Sequence, residues 1–196
     1  TDKAPGFIKM PEMRMLSLYG PVEEKTASEI VYSMFVYNNI KKITPLDNLD
    51  PPQHFLEEIE PFEFLISTPG GSASDMFSIY DTMKLVEKTM EIHTLGMGKV
   101  MSAGVLLLAA GTKGKRRIGR NCRVMIHAVN GGASGSSHEI TNEIKEILFT
   151  EQAYIKSLIR ETSLTATDIK KLLSNKINVY LTAKEAVKYG IADIIV

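Results

Sequence analysis

The sequence predicts an α/β domain with parallel crossovers, and three observations carry the prediction. Apolar strand-like runs alternate with segments of helical spacing through most of the chain, glycines recur where a strand gives way to a helix, and no 20 to 50 residue repeat interrupts the alternation. With 196 residues, 44% of them hydrophobic and 23% charged, the chain suits one compact domain over residues 1–196 with a sizeable core.

The first strand is read in MRMLSLYG, followed by a helix in PVEEKTASEIVYSMFVYNN whose apolar face carries Ala27, Ile30, Val31, Met34 and Phe35. Residues 41–61 hold Pro45, Pro51, Pro52 and Pro61 and two acidic clusters, so they read as an exposed, mobile inserted loop with a short helix at HFLEEIE. FEFLIS then reads as a buried strand ending at Thr68-Pro69-Gly70-Gly71, and SASDMFSIYDTMKLVEKT as a helix burying Met76, Ile79, Tyr80, Met83 and Val86.

The same grammar repeats downstream. MEIHTLGMG reads as a strand and turn, and MSAGVLLLAAG as an apolar helix capped by Gly111, which sets Ser102 at a second strand-to-helix junction. RVMIHAV is the next strand and places His127 near its end, before the glycine-rich GGASGSS segment and a long helix from EITNEIKEILFTEQAYIKSLIRE. The chain closes with a capping box of Thr182 and Glu185, a stop at Gly190 and a final strand.

Twenty-three basic residues balance twenty-three acidic ones, so net charge argues against a nucleic-acid or anionic-membrane partner. The longest apolar run, Val100 to Ala110, falls short of the roughly 20 residues that span a bilayer. The opening TDKAPGFIKM lacks a basic segment followed by an apolar run and does not read as a signal peptide. One cysteine, Cys122, permits no intrachain disulfide and fits a reducing compartment, the cytoplasm or the equivalent stroma or matrix of an organelle.

Acyl transfer needs a nucleophile, a base and preorganised donors where a carbonyl oxygen turns negative. A serine at the start of a buried helix lies next to first-turn N–H groups that have no intrahelical partner and at the positive end of the helix dipole. Ser102 and His127, with two glycine-rich junctions, supply these ingredients. Each has a plainer alternative: small residues let a helix approach a sheet, Pro69 to Gly71 serves a tight turn, and histidines are commonly hydrogen-bonded core or surface residues. The remaining histidines, His54, His93 and His138, are scattered without metal-binding spacing, so no metal is expected. Lys99, three residues before Ser102, reads as a solvated or positioning lysine, and the ten methionines as core filler.

In order, Thr68-Pro69-Gly70-Gly71-Ser72, Ile79-Tyr80-Asp81-Thr82, Ser102, Leu107 to Arg116 (LLAAGTKGKR), Met125-Ile126-His127 and Tyr180 to Gly190 (YLTAKEAVKYG) resemble the Clp protease proteolytic subunit family, ClpP. The resemblance runs from about residue 13 to 196, and the interval of twenty-five residues from Ser102 to His127 agrees with it. It implies a crotonase-like spiral of ββα units, two stacked seven-membered rings enclosing the active sites, and a handle region over 131–160 that joins the rings. It implies catalytic Ser102 and His127, oxyanion-hole N–H groups from Gly71 and Ala103, and a peptide held as an added strand beside Gly70, Gly71 and Ala128. The implied partners are further copies of the chain, an unfoldase of the AAA+ class and unfolded polypeptides; ATP would bind the unfoldase, leaving this chain without a cofactor.

Three departures from the family pattern stand out. Anchoring on Tyr180-Leu181-Thr182-Ala183 puts Asn178 where the family usually has the triad aspartate, with Asp168 and Asp193 as alternatives off the family position. An asparagine can orient an imidazole but lacks the charge that stabilises the imidazolium. The nucleophile's surroundings read Gly98-Lys99-Val100-Met101-Ser102-Ala103-Gly104, and the 41–61 connection is long, which suggests an altered docking surface for the ATPase. Two rival readings follow: a catalytically weak or silent ring subunit, which Asn178 favours, and a crotonase-type coenzyme A thioester enzyme, which would not need Ser102 and His127 together.

Overall fold

The computed structural model describes residues 14–46, 53–173 and 178–196. Its main sheet has seven strands. Strands β1 (Met15–Tyr19), β4 (Phe62–Thr68), β5 (Ile92–Met101), β6 (Arg117–Ile118) and β9 (Ile194–Ile195) follow one another in parallel, and β7 (Arg123–Ile126) joins β5 in parallel while β8 (Val179–Leu181) pairs antiparallel with β7. The crossovers run through helices α1 (Glu24–Asn39), α2 (Ala73–Val86) and α3 (Ala103–Ala109), so the predicted alternation is the observed one.

Period-two burial explains the layers. Phe62, Phe64 and Ile66 of β4 and Ile92 and Thr94 of β5 are fully buried and belong to the face covered by helices, whereas the intervening Glu63 and His93 point outward. On that outward face Arg117 pairs with Glu63, and His93 stands 3.4 Å from Glu63 and 2.8 Å from Glu91. Helix α2 buries all five residues expected of it, whereas on α1 only Ala27, Ile30 and Met34 are buried and Phe35 is 40% exposed, one position round from the stripe.

Strand β5 is a single ten-residue strand and not the expected strand and turn. Gly98, at φ +65°, and a register shift between Ile66 and Thr68 of β4 bend it, so its first half pairs with β6 and its last three residues pair with β7. The bend swaps neighbours without ending the strand. Gly111 also differs from expectation: Ala110 caps α3, and Gly111 is required because a Cβ there would stand 2.6 Å from Thr94 Oγ1.

The excursion after α1 is a hairpin of β2 (Lys42–Pro45) and β3 (Phe55–Glu58), and the helix expected at HFLEEIE is strand β3; residues 47–52 of the expected loop lie outside the described residues. Seven residues are too few to offset helix nucleation, while the ladder with β2 lets Lys41 pair with Glu57 and Lys42 with Glu60, both at 2.7 Å. Downstream lie α4 (Ser137–Glu161), α5 (Ala166–Leu173) and α6 (Ala183–Lys188). Capping boxes open α4 (Ser136 with Glu139) and α6 (Thr182 with Glu185), and Gly190, at φ +68°, ends the latter as expected.

Two polar centres lock the helices to the sheet. Arg116, 4% exposed, donates to the carbonyls of Ala109, Glu161 and Gly190 and, through Nε at 2.8 Å, to Asp193, tying the ends of α3, α4 and α6 to β9. Glu161, 3% exposed, accepts from Tyr80 at 2.8 Å and lies 3.2 Å from Lys84 and 3.5 Å from Lys113. Burial alone would push its carboxyl up, but the Tyr80 hydroxyl and the lysine ammoniums outweigh it, so Glu161 titrates below the ordinary glutamate value.

A carboxyl depressed on folding stabilises the protein above its unfolded pKa of about 4.3 and loses that contribution as pH falls through the folded value. Glu161→Gln should therefore lower stability by about 1–3 kcal/mol at neutral pH and narrow the gap from wild type below about pH 4, read by urea midpoints across pH. At Gly104 an added Cβ would meet Thr68 Cγ2 at 2.4 Å, so Gly104→Ala should cost about 1–3 kcal/mol through overpacking, read as a lowered thermal midpoint.

Candidate active site

The second half of β5 delivers Ser102 to the N-terminus of α3. Ser102 has φ +53° and ψ −118° and is the one non-glycine residue with positive φ among the described residues. A non-glycine residue in such a conformation costs of order 1–3 kcal/mol and persists only where its surroundings over-determine it. Here its N–H donates to Met125 O of β7 at 2.8 Å, and its carbonyl accepts from Val105 N at 3.0 Å and from Tyr154 Oη of α4 at 3.0 Å. The turn also needs Gly70, at φ +96°, where a Cβ would stand 2.6 Å from Ser102 Cβ and 3.1 Å from its Oγ.

Beside it the β4–α2 turn is fastened to the segment after β1. Val22 N donates to Gly70 O and Ser72 N donates to Val22 O, both at 2.9 Å, so Gly71 sits against Val22 with its own N–H outside the bridge. A Cβ on Gly71 would stand 2.1 Å from Val22 O. Ala103 is the first residue of α3, and its N–H has no acceptor within the helix. Both N–H groups belong to residues that line one pocket.

That pocket, of about 340 Å³, is bordered by Gly71, Ser102, Ala103 and His127, with Met76, Val129 and Tyr154 giving an apolar wall. His127 follows directly after β7, one residue beyond the strand expected to contain it, and is partly exposed. Its imidazole and the Ser102 hydroxyl face the same pocket without a hydrogen bond between them. Ala128 is not on the pocket lining, although its neighbours His127 and Val129 are, and Gly70 supports Ser102 from outside that lining.

The β7–β8 ladder pairs Val124 with Leu181, Met125 with Tyr180 and Ile126 with Val179, so its continuation sets Asn178 across from His127. Asn178 is exposed and does not line the pocket. The two alternative carboxylates are committed elsewhere. Asp193 is held below the usual aspartate range because hydrogen bonds and charge from Arg116 outweigh its burial, and Asp168 because it accepts from Thr165 at the start of α5. Lys99 is exposed on β5. Burial pushes the Cys122 thiol up to about 11, which leaves it a poor nucleophile.

Tyr154 is the site residue that sequence reasoning missed. It is 4% exposed, and burial pushes its phenol up, so the group stays protonated and donates. On the apolar stripe of a long helix it carries the signal of an ordinary core aromatic; only the fold brings it to Ser102. Among the described residues no group of three or more histidine, cysteine or carboxylate side chains is arranged to hold a metal ion, and no helix is long and apolar enough to cross a membrane.

Residues 54–196 match the Clp protease family. The chain is 39% identical over 144 residues to an ATP-dependent Clp protease proteolytic subunit 1 of Prochlorococcus marinus (strain MIT 9312), covering 72% of each chain. A subunit of the same name from Prochlorococcus marinus subsp. pastoris (strain CCMP1986 / NIES-2087 / MED4) is 38% identical over 144 residues, covering 72% of this chain and 71% of the relative. The matched span holds the Gly70-Gly71 turn, Ser102, His127 and Asn178 together, and the chain belongs to the Clp protease family of serine-type peptidases.

Proposed function

We propose that this chain is the proteolytic subunit of a compartmentalised, ATP-dependent protease and hydrolyses peptide bonds of unfolded polypeptides by acyl-enzyme chemistry at Ser102. The observation that carries the reading is the strained Ser102 at the β5–α3 junction, sharing one pocket with His127, Gly71 and Ala103. His127 takes the Oγ proton as Ser102 attacks the scissile carbonyl carbon. The oxyanion accepts from the Gly71 and Ala103 N–H groups. Collapse expels the amine, protonated by His127, and a water deprotonated by the same imidazole then releases the acyl group. Apo sites often hold their nucleophile and base in loose register that tightens only with substrate, which fits the unbonded Ser102–His127 pair.

Substrate would lie extended between the Gly70-Gly71 turn and the Ala128 segment, joined mainly by backbone hydrogen bonds, so sequence specificity would be broad. Asn178 would orient the imidazole without supplying negative charge to the imidazolium. The first half of α4 is exposed and carries apolar Ile144, Leu148 and Phe149, which suits the handle region over 131–160 as the contact between two stacked heptameric rings. An AAA+ unfoldase would bind ATP and deliver substrate, and this chain would carry no cofactor.

A second reading, a weak or silent subunit in a mixed ring, is supported by one feature: continuing the β7–β8 register one step past Ile126–Val179 would set Asn178, not a carboxylate, across from His127. Hydrolysis of short fluorogenic peptides by the assembled protein separates the two. Under the active reading Ser102→Ala falls by roughly a thousandfold or more, Asn178→Asp rises roughly tenfold and Asn178→Ala does not rise. A confirmed ring that leaves such peptides intact would sink the active reading. Separately, Ile144→Asp with Leu148→Asp should shift sedimentation from the double ring to smaller species, and an unchanged profile would remove α4 from the stacking contact.

A further inference from the structure

Ser102 is flanked by two peptide units, and each is fixed from a different part of the fold. The unit before it is held by β7, through Ser102 N to Met125 O at 2.8 Å. The unit after it contains the Ser102 carbonyl and the Ala103 N–H. In a trans peptide these two groups lie in one plane and point in opposite directions, so whatever fixes the carbonyl oxygen also fixes the direction of the Ala103 N–H. Two donors reach that oxygen. Val105 N, at 3.0 Å, belongs to the first turn of a seven-residue helix, and Tyr154 Oη, also at 3.0 Å, comes from the twenty-five-residue α4.

We infer that Tyr154 is a positioning residue that holds the Ser102 carbonyl through its phenol and thereby aims the Ala103 N–H into the oxyanion site. The inference rests on the acyl-transfer reading above. A short helix beginning at a strained residue does not by itself define its first peptide plane sharply, because the helix terminus is where backbone groups lack partners and fray. Tyr154 adds a donor whose ring is 4% exposed and whose hydroxyl has the Ser102 carbonyl as its hydrogen-bond partner. The ring also lines the pocket beside Ser102 and Ala103, so exchanging the hydroxyl alone leaves the substrate-facing wall in place.

Magnitudes separate this role from direct catalysis. Removing an oxyanion donor outright costs about 10²–10³ in kcat. Removing a hydrogen bond that steadies such a donor is bounded by the net worth of one bond, a factor of roughly two to ten. A tyrosine whose hydroxyl merely satisfies its own burial would change stability and leave the rate per intact site unchanged.

The test compares wild type with Tyr154→Phe in the assembled full chain. Ser102 sites are counted by fluorophosphonate labelling, a fluorogenic peptide gives kcat and KM, and a peptide boronate serves as a tetrahedral mimic. The expected result is kcat per labelled site lowered roughly two- to tenfold with KM nearly unchanged, and boronate affinity weakened by a similar factor. Tyr154→Met, which also lacks the hydroxyl but packs adaptably, is read by the same criteria if the phenylalanine variant does not assemble. Unchanged kcat per site and boronate affinity, a loss confined to the number of labelled sites, or failure of both variants to assemble would each overturn the positioning role. A folded wild-type ring inert toward both peptide and fluorophosphonate would instead remove the underlying reaction, and this role with it.

Discussion

A serine at φ +53° cannot persist on local preference, and the order of the fold around it follows from the need to hold it there. Strand β5 presents it, β7 accepts its N–H, α3 and α4 both donate to its carbonyl, and Gly70 leaves the space its Cβ and Oγ occupy. These partners are far apart in sequence, so the conformation depends on a completed tertiary structure. A partly folded chain would have no means of displaying the hydroxyl in this orientation.

The bend in β5 makes that convergence possible. A straight strand paired with β4 and β6 along its whole length would leave no edge for β7, and His127 would have no route to the pocket. By exchanging β6 for β7 after Gly98, β5 ends with Met101 paired to Met125, and the chain then reaches Ser102 on one strand and His127 on the other within a residue or two. The remaining ladder, β7 with β8, carries Asn178 toward the same end. Sheet register thus accounts for how residues 102, 127 and 178 come to one end of neighbouring strands.

Much of this was legible in the sequence because it is written in short-range signals. Alternation of strand and helix patterns, the buried stripe of α2, the capping box of α6 and the glycine junctions all act within about ten residues. What escaped has a different physical origin. The FLEE strand competes as a helix on local propensity and is decided by cross-strand pairing with the lysines after α1. The bend at Gly98 looks like a turn because a glycine with positive φ serves both, and only the partners on each side distinguish them. The buried contacts of Arg116 and Glu161 have no local signal, since nothing in the neighbouring sequence reports that the ends of three helices meet there.

The arrangement also separates the charges that support the fold from the charge the chemistry would use. Arg116, Asp193, Glu161 and Lys84 saturate one another around the helix ends, and the two aspartates outside the family position are occupied by Arg116 and by the start of α5. Among the described residues no carboxylate lines the pocket that holds His127, and an asparagine acting in the third position would contribute an amide dipole only. In such a site imidazolium formed during attack would be stabilised by solvent and by the oxyanion itself, not by a buried negative charge. Catalytic power would then rest more heavily on the preorganised N–H groups of Gly71 and Ala103, because donors fixed before the reaction need no reorganisation as charge develops. The tight contact of Gly71 with Val22, and the double hold on the Ser102 carbonyl, are features such dependence would require.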